Sequence, residues 1–250
     1  MKDIKDTLID RRSVRRYERE AIKDEDMKLI HEAIRNTPTS YNGQQFSVID
    51  VTDQDMKLKL YDIIGQKQIK TCSHFLLFLV DYHKISLISE RLGVDMPPFN
   101  DTVDGLAVGI VDASLAMMSA VAMAESLGLG CCPIGYARTV APEAVSSLLG
   151  LPKKTFVVCG LSIGVPRETP DLKPKQPVDL VVFKDHYRSD DEVMTDELMA
   201  YNDTVSEYNR TRSGDKTTND WATHILGYYQ EAMSYGMLRA LQRRGFDPKR

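Results

Sequence analysis

Three arginines and a serine stand within five positions near the N-terminus, as Arg11-Arg12-Ser13-Val14-Arg15. Guanidinium groups are planar forks of donors that match phosphate oxygens, and a hydroxyl adds a further donor. The segment therefore predicts a binding site for a small phosphorylated molecule. An isolated basic run is more often a solvated arm or part of a nucleic-acid patch, and that alternative stays open at this point.

The overall charge argues against the nucleic-acid alternative. The chain has 250 residues with 32 Lys and Arg against 36 Asp and Glu, a net charge of −4. Such a balance attracts neither nucleic acid nor an anionic membrane. The charged start of the chain predicts no signal peptide, and the longest uncharged apolar run, 113–124, is shorter than a membrane-spanning helix. We therefore expect a cytoplasmic protein without a membrane partner.

Cysteine and histidine spacing gives no sign of a metal centre. The four cysteines form no CxxC pair, and the five histidines show no HxH or HxxxH spacing. We expect buried thiols in a reducing compartment and no metal. Gly128-Leu129-Gly130-Cys131-Cys132-Pro133 approaches a dinucleotide-binding GxGxxG, but a proline replaces the third glycine and the segment follows a helix instead of opening one. Without a Walker A or GxSxG motif either, an enzyme of this kind would depend on an organic cofactor.

Hydrophobic spacing predicts the elements that must position these residues. A helix with Asp24 as its N-cap carries Met27, Ile30 and Ile34 on one face, and Pro38 helps to end it before a polar loop at 39–45. Further helices are predicted at 56–64, 104–127, 142–149, 190–212 and 221–244, and strands at 46–51, 75–82, 156–164 and 178–183. Because these do not alternate regularly as βαβ units, the fold class is predicted to be α+β.

Two of these helical regions indicate an assembly. The helix at 104–127 is apolar almost all round and rich in small residues, so we expect it in the middle of the assembly. The chain beyond Arg188 has too little core of its own for a separate domain. Its apolar positions need another surface, which we expect to be a partner subunit: Ile225, Tyr228, Tyr229, Met233, Met237 and Leu241.

Four motifs in the correct order resemble the nitroreductase/flavin reductase family, in its larger NADPH-dependent group A. Arg11 to Tyr17 is similar to the family's R-x-S-x-R-x-F/Y start, and Thr39 to Gln44 to its S-S-x-N-x-Q loop. Pro133-Ile134-Gly135-Tyr136 resembles its P-I-G-G segment, and Pro170 to Lys175 its P-x-x-K-P-R run. The resemblance extends from about Asp6 to the C-terminal helices. This chain differs in having Arg11 for a frequent His, Tyr136 for the second glycine and Lys175 for Arg.

The resemblance implies a nitroreductase fold, with a mixed, antiparallel-rich sheet flanked by helices. It implies an FMN-binding core at 1–187 and a helical extension at 188–250 that wraps the partner in a homodimer, with non-covalent FMN at the interface. The implied activity is ping-pong, two-electron reduction of nitroaromatics, quinones or free flavin by NADPH. The alternative is an FMN-binding redox sensor or storage protein with little turnover.

The resemblance also assigns residues to the cofactor. Arg11, Arg12, Ser13, Lys173 and Lys175 belong to its phosphate-binding segments, and Arg15 is the cation expected at the pyrimidine edge of the flavin. Polar groups for the ribityl chain and ring come from Thr39, Ser40, Asn42, Gln44 and Gln66. The resemblance implies that backbone N–H groups at Gly135 or Tyr136 face flavin N5, with Ile134 also in the cofactor site, so no side-chain acid is required. For the NADPH 2′-phosphate the matching position is Arg212, with Arg210 and Lys216 beside it.

Overall fold

The computed structural model describes residues 2–248, which form a four-stranded antiparallel sheet and surrounding helices. The strand order across the sheet is β1-β2-β4-β3. The strands are β1 Phe46–Val51, β2 His74–Asp81, β3 Gly130–Ile134 and β4 Thr155–Gly164. The helices are α1 Ile4–Ile9, α2 Asp24–Arg35, α3 Gln54–Ile64, α4 Gln68–Thr71, α5 His83–Leu92, α6 Val103–Ser126, α7 Tyr136–Thr139, α8 Pro142–Leu148, α9 Asp191–Thr211, α10 Trp221–Ala232 and α11 Met237–Arg244. The predicted α+β class is confirmed.

The described residues fall into two compact units. The larger unit comprises the chain up to Thr169 together with the stretch from Gly236 onward, and it holds the whole sheet. The smaller unit, Pro170–Tyr235, consists mainly of α9 and α10. In the smaller unit these helices meet where the Tyr201 and Trp221 rings pack edge to face, with ring centroids 5.4 Å apart.

The core of the larger unit lies on both faces of β2. Phe75 to Val80 are almost completely buried, as expected for a central strand that is covered on both sides. Apolar residues of α2 and α6 pack on one face, and residues of α3, α7 and α8 pack on the other. The sequence prediction of a doubly covered strand at 75–82 is therefore confirmed, with β2 shifted by one residue.

The long helix α6 approaches the sheet closely because it presents small residues to it. Ala113, Ala116 and Ala120 are fully buried, and a Cβ on Gly109 would lie only 2.5 Å from a methyl carbon of Val80. The helix begins at Thr102, whose hydroxyl accepts a 2.9 Å hydrogen bond from the Gly105 N–H. By length and composition alone α6 also qualifies as a membrane-spanning helix, a property that the core helix of a globular fold shares.

Several predicted elements differ from the structure. The strand expected at 178–183 is a short 3-10 turn, Val178–Leu180, followed by exposed valines, because β-branched residues form a strand only where another strand pairs with them. Asp24 is the first residue of α2, and the N-cap is Lys23. The helix expected at 221–244 stops at Ala232 and resumes at Met237, since the intervening residues, which include Gly236, favour a break.

The C-terminal segment also corrects part of the tail prediction. Leu241 does not need a partner surface, since it is buried with Phe246 in the chain's own core beside α6. Sequence reasoning missed β3 altogether, because its five residues include Gly130 and Pro133, and Gly128 and Gly135 lie close to its ends, a composition typical of a loop. It also missed α5, whose apolar residues are partly exposed.

Gly109 provides a test of the contact between α6 and β2. Gly109→Ala places a methyl group against Val80, so we expect the free energy of unfolding to fall by about 1–3 kcal/mol in urea denaturation. Gly227→Ala in α10 is the control, because a Cβ there meets nothing within 4 Å and alanine favours a helix by about 1 kcal/mol. Equal stability of the two variants would contradict the close approach.

Candidate active site

The basic segment of the N-terminus lies along the edge strand β3. The Val14 N–H donates to the Cys131 carbonyl at 2.9 Å, and Ser13 and Cys131 form a parallel bridge. Farther on, the Glu18 N–H donates to the Val165 carbonyl at 2.9 Å. These bonds hold the backbone extended, so that neighbouring side chains of the segment point to different sides.

Arg12 is held through its backbone while part of its side chain lacks a partner. Its N–H donates to the Glu125 carboxylate near the end of α6, and burial raises the pKa of that carboxyl above its ordinary value. The Arg12 Nε is buried and has no hydrogen-bond partner among the described residues. A buried donor without an acceptor is unfavourable, so this atom is suited to an anionic ligand.

Glu168 holds the next part of the segment. Its carboxylate accepts hydrogen bonds from the N–H groups of Arg15 and Arg16, at 2.7 and 3.1 Å. It also forms an ion pair with the Arg16 side chain at 3.6 Å. The Arg15 side chain is exposed, and its one recorded bond is from Nη1 to the Ser13 carbonyl at 3.3 Å. Arg15 therefore presents a positive charge on an ordered backbone.

A second predicted segment reaches the basic segment through Cys132. The Cys132 thiol hydrogen-bonds with the side chains of Ser13 and Gln68, and burial raises its pKa. Gln68 Nε2 in turn donates to Gln66 Oε1 at 3.4 Å. The structure therefore brings the Gln66 turn to the same edge of the sheet as Ser13 and Arg15.

The third segment, Ile134 to Tyr136, leaves the end of β3. Ile134 is buried in the core, whereas Gly135 is exposed and a Cβ there would meet nothing within 4 Å. The N–H groups of Gly135 and Tyr136 open the turn of α7 and so have no partner within it. Arg12, Arg15, Gln66 and Gly135 thus all surround β3, with open space above the glycine.

The polar loop at 39–45 takes an unusual backbone conformation and belongs to another part of the fold. Tyr41, Asn42 and Gln44 have φ values of 57, 54 and 51°, in the left-handed region. The Ser40 N–H donates to Asp112 Oδ1, in the middle of α6, at 3.0 Å. Thr39 Oγ1 accepts from the Gln44 N–H at 3.2 Å.

The positions of two contacts on α6 show how far this loop lies from the basic segment. The Ser40 backbone contacts α6 at Asp112, and the Arg12 backbone contacts it at Glu125. These two carboxylates are separated by thirteen positions of a continuous helix, which is about 20 Å at 1.5 Å per residue.

The sheet gives a second, independent measure of the same separation. The loop leads into Phe46, which pairs with Val80, whereas Ser13 pairs with Cys131, which lies level with His74. Phe46 and Cys131 are about 20 Å apart along the strands and about 14 Å apart across them, and Ser13 lies one strand spacing farther out. The structure therefore does not bring Thr39, Ser40, Asn42 and Gln44 to the basic segment of the same chain.

The remaining predicted residues lie in the smaller unit. The run that contains Lys173 and Lys175 precedes α9 in the chain and lies alongside it. The Tyr201 and Tyr208 hydroxyls of α9 donate to the Pro174 and Asp171 carbonyls, both at 3.3 Å. The Asp171 carboxylate accepts from the Ser213 N–H at 2.6 Å, beside Arg212. The structure thus places the lysine run and the 210–216 loop side by side within this unit.

The cations of the 210–216 loop differ in their partners. Arg210 forms an ion pair with Glu207 one turn earlier in α9, whereas the Arg212 Nε has no partner among the described residues. Lys216 is exposed. Arg212 is thus better suited than Arg210 to bind an added anion.

Sequence reasoning missed the residues that form hydrogen bonds to the predicted binding residues and so fix their positions. Glu125, Glu168, Gln68, Cys132 and Asp112 contact the predicted residues across long stretches of chain, and no local pattern marks such contacts. It also missed a cleft of about 680 Å³ near the start of β2, lined by Lys57, Lys70, Arg19 and Arg167 among others. None of the residues predicted to bind a cofactor lines that cleft. Within residues 2–248 no cluster of His, Cys, Asp and Glu is arranged to hold a metal ion.

Comparison with known proteins identifies the group to which this chain is related. Residues 8–165 match the model of the nitroreductase family, and residues 173–249 match that of the nitroreductase family C-terminal domain. An FMN reductase [NAD(P)H] of Bacillus subtilis is 36% identical, over 98% of each chain. A CR(VI) reductase of Pseudomonas sp. is 32% identical, over 98% of this chain and 100% of its own.

Solved structures agree in fold over the whole length. The hypothetical oxidoreductase YcnD from Bacillus subtilis superposes with a TM-score of 0.94 at 35% identity and covers 100% of both chains. The NADPH:FMN oxidoreductase from Vibrio harveyi, complexed with NAD+, gives a TM-score of 0.87 at 27% identity over 99% of each chain. The motifs, the fold and both family models agree: this chain belongs to the nitroreductase family.

Proposed function

We propose that this protein is an FMN-dependent NADPH oxidoreductase that reduces nitroaromatics, quinones or free flavin in two-electron, ping-pong turnovers. Membership of the family, and relatives named FMN reductase and NADPH-dependent oxidoreductase, support this function. The observation that carries it is the buried, unpartnered Arg12 Nε inside the R-x-S-x-R segment. A cytoplasmic location fits the resemblance to these bacterial oxidoreductases.

The residues around β3 fit the phosphate and ring of FMN. Arg12 and Ser13 offer a guanidinium and a hydroxyl to the phosphate, with Arg11 beside them. Arg15 holds an exposed positive charge on a backbone that Glu168 orders, which suits the pyrimidine edge of the ring. Because that edge gains negative charge on reduction, the cation favours the reduced form.

In the reaction, the side chains and backbone N–H groups of this chain position the flavin. When bound, FMN accepts a hydride from NADPH and passes two electrons to the acceptor. Gln66 offers an amide to the ring edge, and the N–H groups of Gly135 and Tyr136 are available to a ring nitrogen. The open space above Gly135 leaves room for a stacked ring. No side chain has to act as an acid if the proton comes from solvent.

A homodimer explains how the loop at 39–45 takes part in the site. Ser40, Asn42 and Gln44 lie about 20 Å along α6 from Arg12, so they do not reach a cofactor bound at β3 of their own chain. In a symmetric dimer that packs along α6, the loop of one chain meets β3 of the other. We therefore propose two FMN sites, each completed by Thr39, Ser40, Asn42 and Gln44 of the partner.

An exposed apolar stripe on α6 supports this arrangement. Val111, Leu115 and Met118 follow a three-to-four spacing, and Val103 lies about two turns before them; the four are 50, 43, 40 and 59% exposed, respectively. The smaller unit adds exposed apolar residues for the extension at 188–250 to bury against the partner, including Met199, Leu226, Tyr229 and Met233. Unpartnered apolar area of this extent is typical of an interface.

Arg12 provides the first test of the cofactor assignment. Arg12→Ala removes a charged contact to the phosphate, which contributes about 1.5–3 kcal/mol, so we expect FMN to bind roughly tenfold to a hundredfold more weakly in a fluorescence titration. Riboflavin, which lacks the phosphate, should bind both proteins equally. Arg19→Ala, a change at an exposed arginine of the same segment, is the control and should leave FMN affinity unchanged. FMN affinity at the wild-type value in Arg12→Ala would contradict the assignment.

The dimer makes a second prediction. Replacing Leu115 and Met118 together by lysine puts two charges into the apolar stripe, so we expect monomers by sedimentation and loss of bound FMN. The control replaces Leu87 and Ile88 of α5, each 51% exposed, and should remain a dimer with FMN. A soluble monomer that still binds FMN tightly would show that one chain is sufficient for the site.

The coenzyme site makes a third prediction. Arg212→Ala removes a cation that only NADPH, with its 2′-phosphate, has a group to bind, so KM for NADPH should rise about tenfold while KM for NADH stays the same. The chemistry takes place far from that phosphate, so kcat should change little. Equal losses for both coenzymes would mean a structural role. A larger effect from Arg210→Ala, despite its ion pair with Glu207, would move the site to that residue.

A further inference from the structure

We propose that Asp112 is a positioning residue that holds the loop at 39–44 in the conformation in which it meets the flavin. The inference rests on the proposed function, in which this loop completes the FMN site of the partner chain. Asp112 itself lies in α6 and is inaccessible to the cofactor, since its exposed fraction is 0%.

The contact that carries the proposal is a hydrogen bond from the loop backbone to a buried carboxylate. Asp112 Oδ1 accepts from the Ser40 N–H at 3.0 Å, and Asp112 Oδ2 has no partner among the described residues. A carboxylate in such surroundings binds an N–H roughly twice as strongly as a neutral acceptor does. Because the carboxylate has no other recorded hydrogen bond among the described residues, the Ser40 N–H is the principal partner of Asp112.

The loop needs such an anchor because its backbone is strained. Tyr41, Asn42 and Gln44 all have positive φ although none of them is glycine. The Tyr41 side chain is 87% exposed, so packing does not hold it. The other recorded bonds of the loop are internal, as from Asn42 N–H to the Thr39 carbonyl at 3.2 Å and from Gly43 N–H to the Ser40 carbonyl at 2.9 Å. Among the described residues, the bond to Asp112 is the only recorded hydrogen bond from 39–44 to another element, and the next residue, Gln45, accepts from the Asp81 N–H of β2 at 3.0 Å.

The position of Asp112 also links the loop to the dimer. It follows Val111 directly and precedes Leu115 by one helical turn, and both are members of the exposed apolar stripe. Packing of two chains along α6 therefore occurs on the same turn of helix that holds Ser40. The same turn of α6 therefore packs against the partner and holds the loop, so the loop is already ordered when the two chains associate.

The test compares two substitutions of Asp112 in the full-length protein. Asp112→Ala removes the acceptor, whereas Asp112→Asn keeps an amide oxygen in the place of Oδ1 and should restore the bond in neutral form. Asp104→Ala is the control, because it removes an exposed carboxylate from the same helix. Hydrogen exchange of peptides covering 38–46 is measured without FMN, and FMN and riboflavin affinities are measured by titration.

We expect Asp112→Ala to speed exchange at the Ser40 amide at least tenfold while the strands keep their protection. It should weaken FMN and riboflavin at least tenfold each and equally, because the loop contacts parts that both share. Asp112→Asn should lie between Asp112→Ala and wild type in both measurements, because its neutral oxygen accepts the bond less strongly, and Asp104→Ala should match wild type. If Asp112→Ala does not fold, Ser40→Pro removes the same bond from the donor side, with Ser40→Ala as its hydroxyl control.

Three results would overturn the proposal. Unchanged exchange in Asp112→Ala would mean that the carboxylate does not hold the loop. Faster exchange with unchanged flavin affinity would mean that the loop is not part of the flavin site. Equal losses in Asp112→Asn and Asp112→Ala would mean that the buried charge matters and the acceptor does not. A wild-type protein that binds neither flavin would contradict the proposed function itself, while the exchange measurement would still decide whether Asp112 anchors the loop.

Discussion

The close packing of α6 on the sheet is the contact on which the rest of the larger unit depends. Gly109 lets the helix backbone approach Val80, and the alanines that follow continue the contact toward β3. The helix is continuous between its two contacts, so its length sets the distance between the segments that bind to it. Near its middle it binds the loop through Asp112, and near its C-terminal end it binds the basic segment through Glu125.

That separation leaves the proposed flavin site incomplete within a single chain. The residues around β3 offer cations, amides and an open surface, whereas the strained loop with its hydroxyl and amides lies about 20 Å away along α6. In the proposed dimer, packing along the exposed stripe of α6 brings each loop to the other chain's β3. The same helix therefore separates the two halves within a chain and, in the proposed dimer, joins them between chains.

The parts of the structure that were predictable were those with a strong local pattern. The helix α6 and the strands β2 and β4 have long uniform hydrophobic runs, and their bounds agree with expectation to within a few residues. Segments with weak or mixed hydrophobic patterns were predicted wrongly or missed. The valines at 178–183 form no strand because none pairs with them, and β3 was missed although its pairing with β4 makes it a strand. Leu241 was assigned to a partner surface but packs in the chain's own core.

The sequence by itself determined the chemistry: which side chains are present, their order in four motifs, and hence the family and the class of cofactor. Motif residues are near neighbours in the chain, so their spacing is visible without a fold. Only the tertiary structure decided which motifs meet. Glu125, Glu168, Cys132 and Asp112 act across long stretches of chain, and the separation of Ser40 from Arg12 follows from the length of α6 and the strand order. Distances of that kind are set by packing between elements, which one-dimensional spacing does not encode.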